Sequence, residues 1–85
     1  MTYPDVIEAH VIGMLQFQVR FSDGLEGRVE MRPSHLFGVF ERLKDPDYFQ
    51  RIAVTDGFVS WPDDIDLAPD AMYEAIRDKG EWVLG

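Results

Sequence analysis

Few side chains in this sequence could carry chemistry, and three of them sit together. Asp63, Asp64 and Asp66 form the densest carboxylate cluster of the chain. Loop carboxylates suit hard divalent cations, but calcium asks for six to eight oxygen ligands. The run lacks the glycine and the distal glutamate of an EF-hand loop. Paired carboxylates can also exchange protons with a substrate when a cleft holds them. The chain has two histidines, His10 and His35, and neither stands in a motif that sets it against a nucleophile or a carboxylate. Ser22, Ser34 and Ser60 fall in a turn, near a helix start and in a strand, without a nucleophile-elbow pattern. There is no cysteine, hence no thiolate nucleophile and no cysteine-type zinc site. Gly13, Gly24, Gly38, Gly57 and Gly80 are scattered, with no phosphate-cradling run. No catalytic residue, cofactor site or metal site is therefore assigned. The acidic run reads first as a solvated loop before a helix.

Composition bounds the remaining possibilities. The chain has 85 residues, which is enough for one domain, expected over 1–85. Hydrophobic residues are 46% and charged residues 28%, the balance of a globular protein. Six Phe, three Tyr and two Trp give it much to bury, so disorder is not expected. The absence of cysteine favours a reducing compartment. The start, Met1-Thr2-Tyr3-Pro4-Asp5, shows neither the basic nor the apolar segment of a signal peptide, so a cytoplasmic location is expected. Sixteen acidic residues face eight basic ones, for a net charge of −8. Phosphate backbones and anionic membranes both need Lys and Arg. Direct nucleic-acid binding and membrane binding are accordingly disfavoured, and a basic protein partner is compatible.

The elements follow from periodicity. Ile7, Ala9 and Val11 alternate with polar residues, as do Leu15, Phe17, Val19 and Phe21, and then Leu25, Gly27, Val29 and Met31. A period of two marks strands with one buried face. A three-residue loop at Ser22-Asp23-Gly24 keeps the apolar faces matched, with Phe21 against Leu25, Arg20 against Glu26 and Phe17 against Val29. The same logic predicts an Ile12-Gly13-Met14 loop, with Val11 opposite Leu15 and Ala9 opposite Phe17. A short helix is predicted from Ser34 or His35 to Leu43, because Leu36, Phe40 and Leu43 recur at helical spacing. Asp45-Pro46 ends it, and Asp47 to Gln50 adds a turn. A second hairpin follows, with a two-residue Asp56-Gly57 turn pairing Val54 with Val59 and Ile52 with Trp61. The last helix starts near Pro69 and stops at Gly80. The predicted class is α+β, with an antiparallel sheet (a three-stranded meander plus a hairpin) and two short helices, in the order βββαββα.

Bulky apolar residues exceed what one buried stripe needs. Leu36, Phe37, Val39 and Phe40 cover most of the predicted first helix, and Trp82, Val83 and Leu84 form an apolar tail after the last. Either group could simply close a small core. Leu36, Phe37, Val39, Phe40, Trp82 and Leu84 are also the candidate residues for a protein interface.

Phe21-Ser22-Asp23-Gly24, Leu43-Lys44-Asp45-Pro46 with Tyr48-Phe49, Trp61-Pro62, and Asp66-Leu67-Ala68-Pro69 with Tyr73 stand as an ordered set along the chain. Through that set the chain, from about Val6 to Tyr73, resembles a family of small bacterial proteins known as a domain of unknown function, number twenty-four forty-two. The resemblance implies a compact α+β domain and no catalytic residue. It also implies a partnership with a second small protein, in a toxin–antitoxin-like arrangement. Some members resemble the front half of a longer protein ending in a helix-turn-helix. These residues show no such second half, and direct action on DNA is not expected.

The leading expectation is a non-enzymatic protein-interaction module, antitoxin-like, bound to a small basic protein. One alternative is a small-ligand or metal-dependent enzyme using Asp63, Asp64 and Asp66 with a histidine. The other is a homodimeric scaffold, in which the partner is a second copy.

Overall fold

The computed structural model describes residues 3–63 and 65–84, without the side chains of His35 and Val39. Among the described residues seven strands and two helices follow one another: β1 (Val6–Gly13), β2 (Gln16–Phe21), β3 (Glu26–Met31), α1 (Pro46–Phe49), β4 (Ala53–Thr55), β5 (Phe58–Trp61), β6 (Ile65–Asp66), α2 (Pro69–Lys79) and β7 (Glu81–Leu84). Two 3-10 segments, Pro33–His35 and Gly38–Lys44, fill the stretch between β3 and α1. The strands form a four-stranded sheet in the order β1-β2-β3-β7 and a three-stranded sheet in the order β4-β5-β6. The class is α+β, and β1 to β3 are the expected antiparallel meander.

The β2–β3 turn has the expected register, with Phe17 opposite Val29 and Arg20 opposite Glu26. Gly24 takes the left-handed conformation there, at φ 95°. The β4–β5 turn pairs Val54 with Val59, and Asp56 and Gly57 both adopt positive φ, as a two-residue primed turn requires. Phe17, Val19 and Phe21 of β2 and Val29 and Met31 of β3 are buried on one face. Met72 and Ile76 of α2, Leu36, Leu43, Phe49, and Val59, Trp61 and Ile65 of the second sheet complete the core. On the opposite face the polar residues pair across strands. Arg20 donates to Glu8 at 2.6 Å, and Arg28 donates to Glu81 at 2.8 Å.

Four expectations are corrected. The β1–β2 connection is not Ile12-Gly13-Met14: Gly13 pairs with Gln16, Val11 with Phe17 and Ala9 with Val19. Met14 and Leu15 form the turn, and Leu15 itself has positive φ, at 54°. The register moves by two residues, so the buried face survives the shift. Second, register shifts at Ile7 and Ile12 place an extra residue in β1 at each point. Val6 thereby turns inward in place of Ile7, which is exposed. Third, the helix expected over 35–43 is broken. Phe37 is extended and Gly38 sits at φ 62°, so the chain forms two 3-10 segments instead of one α-helix. Leu36 and Leu43 still reach the core from either side of that break. Fourth, the Trp82-Val83-Leu84 tail is part of β7, which pairs in parallel with β3, Val29 opposite Trp82 and Met31 opposite Leu84.

Candidate functional site

The two described members of the acidic run have different surroundings. Asp63 is paired with the Arg42 guanidinium, and Asp66 is exposed on β6. Asp64 lies outside the described residues. Among the described residues no three His, Cys, Asp or Glu side chains come together as a metal site. His10 is exposed on β1, in the other sheet.

The residues of the ordered motif set hold one another. The Tyr73 hydroxyl on α2 donates to Asp23 in the β2–β3 turn at 2.6 Å, across fifty residues of chain. Tyr48 on α1 donates to the Pro62 carbonyl at 2.5 Å. The Trp61 indole N–H donates to the Phe49 carbonyl at 3.0 Å, and the two rings stack at 5.7 Å. Asp45 caps α1 by accepting from the Asp47 amide at 3.0 Å. The Tyr73, Tyr48 and Trp61 contacts each tie a turn or a short helix to a part of the chain distant in sequence. These bonds hold the fold.

The Tyr73–Asp23 bond also sets charge states. The Tyr73 hydroxyl first, and the Leu25 amide second, hold the Asp23 carboxyl below its ordinary range. The same bond raises the Tyr73 phenol, because ionising it would remove the donated proton. Tyr3 donates to Glu74 and is likewise raised, mainly by that bond. Tyr3, Tyr73 and Phe21 stack edge to face in series, with centroids 5.8 and 5.0 Å apart, and pin residue 3 to α2.

Of the six interface residues expected from sequence, the structure uses several in the core. Leu36 is buried, and Phe40, Trp82 and Leu84 are partly buried against the core cluster. Phe37 is 70% exposed. The Val39 side chain lies outside the described residues.

The described concave apolar surface is elsewhere. An open groove of about 420 Å³ runs between the end of the β1–β2 hairpin and the segment that carries α1. Val11, Ile12, Met14 and Leu15 form one wall, and Leu43, Pro46 and Phe49 the other, with Lys44 and Gln50 as polar members. Met14 is 82% exposed and Ile12 49%. The hairpin tip is held firmly despite its exposure, because the Met31 amide donates to the Leu15 carbonyl at 2.8 Å. Leucine in the left-handed region costs about 1–2 kcal/mol, so the tip keeps a strained turn with apolar residues on it. Sequence reasoning missed this site because it placed Ile12 and Met14 inside a loop of ordinary turn residues. The available signal was the run Val11-Ile12-Gly13-Met14-Leu15, which is too apolar for a solvent-exposed turn.

Residues 6–78 match the model of a family described as a protein of unknown function, DUF2442. The chain belongs to the DUF2442 family. Neither the curated proteins nor the solved structures give a significant match. The match covers β1 through nearly all of α2 and includes both walls of the groove.

Proposed function

We propose that this DUF2442 protein is a non-enzymatic protein-interaction module of the bacterial cytoplasm, the antitoxin-like partner of a small basic protein. The observation that carries the reading is the apolar hairpin tip, with Met14 82% and Ile12 49% exposed beside a groove of about 420 Å³. Soluble domains seldom leave large apolar side chains clustered at a concave surface unless something binds there.

The charge distribution supports a basic partner. Arg20, Arg28, Arg32, Arg42 and Arg77 are each engaged by a carboxylate of the same chain. With most of the cations neutralised internally, the field outside the protein is that of the excess carboxylates. Such a field speeds encounter with a basic protein and opposes a phosphate backbone. Among the described residues no helix is long and apolar enough to cross a membrane.

Capture from an extract of the native cells tests the reading, with a charge-matched unrelated protein as control. One small basic protein retained in near-equal amount is the expected result. An empty lane would overturn the module reading.

A further inference from the structure

We infer that the groove takes an extended basic segment of the partner, added as a strand along the free edge of β1. The inference rests on the interaction-module reading and names the geometry and chemistry of the contact. β1 is the outer strand of its sheet, with β2 as its neighbour. Its first residue is already occupied, since the Val6 amide donates to the Gly57 carbonyl at 2.9 Å. Beyond that point no backbone hydrogen bond joins β1 to the second sheet among the described residues. An edge strand of this kind presents backbone donors and acceptors that another chain can pair with.

The groove lies where the free edge runs out. Val11, Ile12 and Gly13 are both the last residues of β1 and one wall of the groove. A chain lying in the groove therefore comes against the last residues of β1. Between the irregularities at Ile7 and Ile12 the register with β2 is regular, Glu8 to Val11 opposite Arg20 to Phe17. That run offers a straight template, and the bulge at Ile12 directs its side chain to the rim. An added strand points alternate side chains to one face. Those side chains would meet Val11, Leu43 and Phe49, which explains why the groove is apolar.

Charge decides between a foreign segment and a second copy. Glu41, Asp45 and Asp47 are exposed on the segment that forms the far wall, and Arg42 of that segment is neutralised by Asp63. Lys44 is left as the one cation among the lining residues. Lys or Arg of the bound strand would be drawn to these carboxylates, which flank the lining residues in sequence. β1 itself, Val6–Gly13, contains Glu8 and no Lys or Arg, and the whole chain carries −8. Pairing two copies would bring together two chains that each carry −8.

The test is selection of binders to the full-length protein from a random peptide library, followed by measurement with the selected peptides. Enriched peptides are expected to alternate apolar residues with Lys or Arg and to lack proline. They are expected to shift the amide resonances of residues 9–13 and 43–50. N-methylation of alternate peptide amides should weaken binding by about tenfold in one register and little in the other, as strand pairing requires. The double variant Ile12→Glu, Met14→Glu should weaken binding by about tenfold or more, while Val83→Glu on the opposite edge strand leaves it unchanged. Both variants alter exposed positions, and an unchanged melting curve checks that each is folded. Acidic or helical consensus peptides, no enrichment, or full binding to the double variant would overturn the inference. If the native extract yields a partner that the double variant still retains, the edge inference fails and the module reading stands. If the extract yields no partner, the module reading itself fails.

Discussion

Single side chains in this protein secure long-range joints. Trp61 is buried, and its indole bridges β5 to the carbonyl at the end of α1. Replacing it with Phe removes a buried hydrogen bond and leaves space beside Phe17 and Phe49, so Trp61→Phe should cost about 1–2 kcal/mol. Urea titration checks this, and no shift in midpoint would show that the joint contributes nothing. Tyr73→Phe is expected to leave the packing against Phe21 intact and remove the bond to Asp23. The sign of its pH dependence follows from the two shifted groups. Asp23 is lowered from an ordinary 3.8, so its stabilising contribution is present above that value and fades as pH falls through the folded pKa. Tyr73 is raised from 10.0, so its contribution holds below that value and fades as pH rises through the folded pKa. Wild type and Tyr73→Phe should therefore differ in stability near neutrality and converge at both extremes. A difference independent of pH would contradict the hydrogen bond.

At the scale of elements, β3 and α2 pack closely at Gly27. A Cβ added at Gly27 would lie 2.4 Å from an Ile76 methyl and 2.9 Å from the Gly80 carbonyl oxygen. Gly27→Ala should destabilise the protein by about 1–3 kcal/mol, because helix and sheet must part to admit it. Gly13→Ala, where nothing lies within 4 Å, should fall within about 0.5 kcal/mol of wild type. Equal denaturation midpoints for the two variants would contradict the close packing. The same contrast shows how much of the fold was legible in the sequence. The Asp23-Gly24 and Asp56-Gly57 turns were readable because only one loop length kept the apolar faces matched. At Gly13 the same rule failed, since a glycine that looked like a turn is a strand residue and leucine took the positive φ. Alternation placed Ile7 inward, but a bulge is invisible to a period of two. Leu36, Phe40 and Leu43 had helical spacing, yet Gly38 at positive φ interrupts the helix without changing which residues are buried. β7 was read as a tail because four residues after a helix carry no sign of a parallel partner fifty residues earlier. The candidate site was the least legible part, for it exists only once the β1–β2 tip and the α1 segment are brought together.

The whole molecule is an acidic domain whose cations are mostly neutralised internally and whose exposed apolar residues include the hairpin tip. Association with a basic partner should weaken as salt rises, because the steering field is screened beyond about 8–10 Å at physiological ionic strength. Affinity independent of salt would remove the charge half of the account while leaving the apolar contact. The proposed binding surface is the hairpin tip with its groove. Hydrogen exchange of the protein alone and in complex with its captured partner tests it most directly. Protection gained at residues 9–15 and 43–50, with β7 unchanged, is the expected result. Protection gained at β7 or α2, with the hairpin tip still exchanging as in the free protein, would contradict it.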